Sequence, residues 1–172
     1  VFNLEVSTVP RSMLSGMLDK IEHREPDGDG IYIKDSIGLG HKRLAILDIS
    51  DKGAQPMSSK DGKWIVVFNG CIYNFSELKM DLKAKGRTFI SRTDTEVIVE
   101  GLSEYGPKFF EKLNGMFAVG AWNTENNELY LSRDRFGIKP LYYWFNGKSI
   151  CFSSEIKAII EHPDYSIDVD LE

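Results

Sequence analysis

A chain of 172 residues with 42% hydrophobic and 27% charged side chains has the composition of one globular domain and the length to bury a sizeable core. A net charge of −5 with scattered basic residues argues against a nucleic-acid binder. No apolar run approaches the roughly 18–20 residues that span a bilayer, so no membrane insertion is expected.

In chain order, Val1-Phe2-Asn3-Leu4 reads as a short strand. It lacks the basic flank and apolar stretch of a signal peptide, and a soluble, cytoplasmic protein is the expectation. Because the first residue is Val and not Met, the natural N-terminus is expected to be processed or to lie elsewhere. Leu14, Met17, Leu18 and Ile21 have the three-four spacing of an amphipathic helix over 11–21. Arg24-Glu25-Pro26-Asp27-Gly28-Asp29-Gly30 is dense in turn formers and predicts a loop. Strands are predicted over 31–34, 37–47 and 64–69. The last of these is apolar on both faces, which implies a sheet packed between two layers. The polar stretch 48–62 predicts a loop.

Phe75, Leu78 and Leu82 mark a helix over 74–84, stopped at Gly86. Thr93-Asp94-Thr95-Glu96 fits a capping box that opens a second helix, with Ile98, Leu102 and Tyr105 on one face. A short helical turn is predicted over 109–113. From Gly115 the period becomes that of strands, over 116–122, 128–133, 141–145 and 150–152, with turn residues at Asn126-Asn127 and Asn146-Gly147. A closing helix is predicted over 154–161. Strands, then helices, then hairpins indicate an α+β domain of antiparallel sheets with helices outside them. Cys71 and Cys151 form no disulfide framework and, with His23, His41 and His162 lacking metal-type spacing, no zinc site. Two reduced thiols and no metal are expected.

Eight segments in order resemble the N-terminal glutaminase domain of glutamine-hydrolysing asparagine synthetases, a class II glutamine amidotransferase domain. They are Arg24-Glu25-Pro26-Asp27-Gly28, the run from His41 to Asp48, Gln55-Pro56-Met57, and Asn69-Gly70-Cys71-Ile72-Tyr73-Asn74. Thr93 to Val97, Leu113 to Ala118, Arg133 to Tyr143 and Phe152 to Ala158 follow. The resemblance covers residues 1–172 as one domain. It implies a four-layer αββα N-terminal-nucleophile hydrolase fold, in which two stacked antiparallel sheets have helices on both outer sides. It also implies that glutamine is hydrolysed to glutamate and that ammonia passes to an ATP-dependent, asparagine-synthetase-like domain. No cofactor is implied within this chain; ATP and magnesium would belong to the C-terminal synthetase domain. The implied partners are glutamine and that domain, with room for a homodimer.

By position, the resemblance makes Arg43 the clamp for glutamine's α-carboxylate, which its planar fork suits. The Asn69 side chain and Gly70 N–H would form the oxyanion hole, since glycine lets backbone approach substrate closely. Asp94 would hold the α-ammonium. The plainer alternatives are a structural Arg43, an Asn-Gly turn, and an Asp94 that only favours the helix dipole. The segment from Arg133 to Tyr143, Asp134 included, is expected to be architectural, with its tyrosines filling a core.

Three departures qualify this picture. The family's N-terminal Cys, whose α-amino group with a pKa near ~8 serves as base, should lie about five residues before Val1. Glu25 stands where the family has Gly. Cys71 stands where it has Glu, which would remove a charge-assisted contact to the ammonium of roughly 1.5–3 kcal/mol. Cys71 is expected to be a passive thiol in the substrate pocket, not a replacement nucleophile. Two functions therefore stay open: a working glutaminase domain, or a degenerate, non-catalytic domain that binds a partner or senses a ligand.

Overall fold

In the computed structural model, residues 1–5, 8–24, 27–44, 48 and 50–166 are described. In chain order the elements are β1 (Phe2–Asn3), α1 (Arg11–Asp19), β2 (Asp29–Lys34), β3 (Ile37–Lys42), β4 (Met57–Ser58) and β5 (Trp64–Ile72). They continue with α2 (Phe75–Ala84), α3 (Asp94–Tyr105), β6 (Gly115–Asn123), β7 (Glu128–Arg133), β8 (Tyr142–Phe145), β9 (Ser149–Ser153) and α4 (Ile156–Ile159). One sheet has the order β2-β3-β1-β9-β8 and the other β4-β5-β6-β7, with antiparallel pairing throughout.

The two-residue period of β5 explains how these sheets stack. Its even positions Trp64, Val66, Phe68 and Ile72 pack with Leu78 and Leu82 of α2 and with Val97, Ile98 and Leu102 of α3. Its odd positions Ile65 and Val67 face the other way and meet Ile37 and Leu39 of β3 between the sheets. On the far side of the first sheet, Leu14 and Met17 of α1 and Ala158 and Ile159 of α4 cover Cys151. Three apolar interlayers thus separate four layers, helices–sheet–sheet–helices, which is the αββα arrangement that the doubly apolar strand implied.

Several boundaries differ from expectation. Strand β5 runs through Gly70 to Ile72 because β6 pairs with it without a break, from Trp64↔Asn123 to Ile72↔Gly115. Asn69-Gly70 is therefore part of a strand and not a turn. Strand β3 ends at Lys42, and 45–47 lie outside the described residues, as does Glu25. Stretch 48–62 contains a 3-10 turn (Asp51–Gly53) and β4, and the closing helix is only the single turn α4. The tyrosines after Pro140 do not fill a core: β8 is an edge strand, and Tyr143 is 69% exposed.

The capping box at α3 is half formed. Thr93 Oγ1 accepts from Glu96 N (3.3 Å), but the Glu96 carboxylate turns to Ile90 N (2.8 Å), Ser91 N (2.7 Å) and Ser91 Oγ (2.7 Å). It fastens the segment entering the helix instead of the cap residue itself. Further along, Arg87 reaches Glu104 (3.1 Å), Ser103 (3.0 Å) and Glu100 (3.3 Å). The Glu100 side chain is 1% exposed and also accepts Lys60 N (2.8 Å). Removing one partner of a buried ion pair leaves an uncompensated charge. Arg87→Ala is therefore expected to destabilise the domain by about 3–5 kcal/mol, read as a lower midpoint in urea unfolding. Arg87→Lys should recover part of the loss.

Candidate active site

The sheets diverge around a cavity of about 380 Å³, and Arg43, Asn69, Gly70, Cys71 and Asp94 all line it. Residues spread over more than fifty positions of sequence are brought together by two devices: the open edge of β5 and the loop that follows β3.

Strand β4 covers β5 only at Val66 and Ile65, so beyond that point β5 has a free edge. Backbone groups of even-numbered residues point to this edge, because those of alternate residues point to β6. Phe68 N donates to Gln55 Oε1 (2.6 Å), Phe68 O accepts from His41 Nε2 (3.1 Å), and Ile72 N donates to Asp94 Oδ2 (3.0 Å). By the same alternation the Gly70 N–H lies between these two and faces the cavity. Gly70 has φ +151°, and a Cβ there would lie 2.1 Å from the Met116 carbonyl oxygen. No other residue fits without moving β6. Asn69 and Cys71 project from the opposite parity, into the cleft between the sheets, where Asn69 Nδ2 approaches Ser154 Oγ (3.4 Å).

The Arg43 guanidinium is oriented by main-chain carbonyls. It donates to Ser50 O (3.0 Å) and to Asp48 O. A Cβ at Gly53 would sit 2.4 Å from Arg43 Nη2, so glycine there leaves the space that the guanidinium fills. These two bonds use part of its five-donor fork, and the remaining N–H groups can grip a carboxylate. Asp48 in turn accepts Ser50 Oγ (2.6 Å), Ser50 N (3.0 Å) and Arg92 N (3.0 Å). The Ser50 hydroxyl, then the Arg92 and Ser50 N–H groups, hold its carboxyl at about 2. It thereby ties the Arg43 loop to the residues entering α3 and sets Arg43 and Asp94 in register.

Asp94 is the first residue of α3 and is 5% exposed. Burial pushes its carboxyl above the ordinary carboxylate range, against the opposing pull of the Ile72, Asp94 and Thr95 N–H groups. A buried carboxylate held short of full compensation is a receptor for a cation. The Cys71 thiol is pushed up by burial and by the charge of Asp94, while Lys139 opposes them. It is a neutral thiol at physiological pH. Cys151 is buried in the outer core beside Met17 Sδ (4.0 Å) and does not line the cavity.

Lys139 also lines the cavity, and sequence reasoning did not single it out. It arrives on a loop built around Asp134, which accepts N–H groups from Ile138 (2.9 Å), Lys139 (3.0 Å), Phe117 (3.1 Å) and Phe136 (3.1 Å). Burial works against this carboxylate, but those N–H groups prevail and hold it at about 2. Arg133 closes the loop on the Gly137 and Lys139 carbonyls (2.6 and 2.7 Å). Asp134 is thus a structural hub. Gln55 and Asp48 were also missed as individual residues; their only sequence signal was membership of the Gln-Pro-Met and His-to-Asp segments. Among the described residues no cluster of His, Cys, Asp and Glu could hold a metal ion.

A family model described as a glutamine amidotransferase domain matches residues 3–172. The chain belongs to that family. This amidotransferase domain is 41% identical over 157 residues to asparagine synthetase [glutamine-hydrolyzing] 1 of Bacillus subtilis, covering 91% of this chain and 25% of that protein. It is 39% identical over 170 residues to a putative asparagine synthetase [glutamine-hydrolyzing] 2 of Methanocaldococcus jannaschii, covering 88% of this chain and 32% of the relative. The chain spans about a quarter to a third of these relatives. A solved glutamine phosphoribosylpyrophosphate amidotransferase from B. subtilis, complexed with ADP and GMP, shares the fold. The TM-score is 0.73 at 20% identity, over 90% of this chain and 41% of that one. The likeness establishes the N-terminal-nucleophile hydrolase architecture of the amidotransferase domain.

The electrostatics of Asp94 separate binding from stability. Its carboxyl is raised in the folded state relative to about 3.9 when unfolded. Ionised Asp94 therefore costs folding energy, and its contribution becomes less favourable as pH rises from the unfolded pKa through the folded one. Asp94→Asn is expected to melt at or above the parent's temperature at pH 7, with the difference shrinking as pH falls toward 4. Thermal melts across that range check it; a large loss of stability in Asp94→Asn at pH 7 would show that the carboxylate is structural.

Proposed function

We propose that this domain binds L-glutamine in the cavity and hydrolyses its side-chain amide, supplying ammonia to an ATP-dependent synthetase domain elsewhere in the parent protein. The observation that carries this reading is the convergence of Arg43, Asp94 and the Asn69–Gly70 rim on one cavity. Arg43 receives the α-carboxylate and Asp94 the α-ammonium, which fixes the amino-acid end. The side chain then runs along β5 so that its amide oxygen meets the Gly70 N–H and the Asn69 amide. Donors aimed at the developing oxyanion lower the barrier to addition.

The nucleophile in this reading is a cysteine preceding Val1. Val1 lines the cavity, and its backbone N donates to Gly38 O (2.7 Å), so residues ahead of it would continue beside β3 into the same cleft. The cysteine sulfur adds to the amide carbon, and its proton passes by way of the α-amine to the leaving nitrogen. Ammonia departs, and water opens the thioester to give glutamate. Cys71 does not take this role, because both burial and Asp94 disfavour its thiolate.

Similarity to glutamine-hydrolysing asparagine synthetases supports the wider assignment. In it, a C-terminal domain uses ATP and magnesium to activate an acceptor carboxylate, aspartate being the acceptor, in a cytoplasmic protein free to form a homodimer. No helix among the described residues is long and apolar enough to cross a membrane.

The intact protein is expected to release glutamate and ammonia from glutamine. Arg43→Ala should act mainly on KM, and Asn69→Ala should lower kcat by about 10²–10³. Steady-state assays of ammonia release test both. A full-length protein with no glutaminase activity, or an Asn69→Ala variant with unchanged kcat, would sink the proposal.

A further inference from the structure

Two side chains serve the free edge of β5 as a neighbouring strand would. The Phe68 N–H donates to Gln55 Oε1 (2.6 Å) and the Phe68 carbonyl accepts from His41 Nε2 (3.1 Å), so both main-chain groups of that residue are held from outside the sheet. Further along, the Ile72 N–H is held by Asp94 Oδ2 (3.0 Å). The Gly70 N–H lies midway, about 7 Å along the strand from each of these fixed points. Gln55 also joins the two. The other end of its amide, Nε2, donates to Thr95 Oγ1 (3.2 Å), and Thr95 follows Asp94 in the first turn of α3. The bonds Phe68–Gln55, Gln55–Thr95 and Asp94–Ile72, with the strand from Phe68 to Ile72, form a closed frame. The Gly70 N–H is the donor inside it. Gln55, Phe68, Gly70, Asp94 and Thr95 all line the cavity.

The frame is also seated from behind. A Cβ at Gly30 would lie 2.0 Å from the Gln55 carbonyl oxygen, so β2 packs directly on the main chain from which this side chain reaches. Thr95 is buried, which leaves its hydroxyl little water to turn to. Each end of the Gln55 amide is engaged by the protein, so the residue acts by placing other groups.

We propose that Gln55 is a positioning residue for glutamine hydrolysis: with Thr95 it closes the frame that aims the Gly70 N–H at the oxygen of the substrate's amide. This rests on the amidotransferase reading of the site. A donor to the oxyanion is effective while it is preorganised, because the charge it meets exists only in the transition state. A glycine has no side chain to fix its own peptide, so the held groups on either side set its direction. Without Gln55 the Phe68 N–H loses its acceptor, and the strand edge can turn and carry Gly70 with it. Arg43 and Asp94 keep supports of their own, the Ser50 and Asp48 carbonyls and the Ile72 N–H, so the amino-acid end of the substrate stays bound.

The test is steady-state release of ammonia from L-glutamine by the intact protein and its variants. Gln55→Met, of similar length but without the amide, is expected to lower kcat about 10- to 100-fold, as a small misplacement of a reacting group does. KM should stay within about threefold of the parent's, because uniform binding is kept. Thr95→Val opens only the far side of the frame and should lower kcat about three- to tenfold, the worth of one hydrogen bond. Thr95→Ser, which keeps the hydroxyl, should recover most of that loss. The double variant should be no slower than Gln55→Met, since both changes act through one amide. Thermal melts establish which variants fold; if Gln55→Met does not, an unchanged kcat in Thr95→Val overturns the proposal. A folded Gln55→Met with the parent's kcat, a loss confined to KM, or single losses that multiply in the double variant overturns it too. If the parent protein releases no ammonia from glutamine, the amidotransferase reading itself fails and this inference falls with it.

Discussion

The site depends on a strand that is deliberately left one partner short. Strand β4 pairs with β5 at Val66 and Ile65, and past that point the backbone groups of Phe68, Gly70 and Ile72 face an open edge. Buried backbone donors without partners are costly, so each must be answered. Two are answered by side chains from distant segments, Gln55 and Asp94, and those bonds draw the loop before β4 and the start of α3 to the strand. The donor between them, at Gly70, opens on the cavity. One missing neighbour strand thus both assembles the walls of the site and leaves an N–H for a ligand.

The carboxylates around this site show how local donors decide between structure and function. Asp134 and Asp94 are both little exposed, yet one is held at about 2 and the other, deeper in the domain, is raised above the ordinary range chiefly by burial. The donor sets differ as well. Asp134 sits in a loop that wraps four backbone N–H groups around it, which stabilise its charge from within the chain. Asp94 has fewer, and its remaining capacity points to the cavity. A group that the fold fully satisfies builds the scaffold; one that the fold leaves wanting can bind.

Much of this was legible in the residues. The doubly apolar run at Trp64 announced a buried sheet, and the helical spacing of Leu14, Met17 and Leu18 placed α1 to within a turn. Asn126-Asn127 and Asn146-Gly147 marked hairpins that form as expected between β6 and β7 and between β8 and β9. Arg43, Asn69, Gly70, Cys71 and Asp94 were all nominated by motif, and all reach one cavity. Where the local reading failed, a partner in space had overridden it. The strand expected to stop at Asn69 runs on through Gly70 to Ile72 because β6 pairs across it. Glu96 abandons its reciprocal cap because Ser91 offers better donors. Tyr142 and Tyr143 are exposed because β8 has no neighbour on one side.

The order of elements, the faces of the strands and the identity of the residues able to bind an amino acid follow from periodicity and side-chain chemistry, which are local and so can be read along the chain. Which backbone N–H is left for a ligand, which carboxylate is satisfied and which is not, and that Lys139 reaches the same cavity as Cys71 were decided only by the fold. Those properties belong to distances between segments far apart in sequence. Burial and hydrogen bonding are counted in three dimensions, and no pattern along one strand reveals whether its edge is covered.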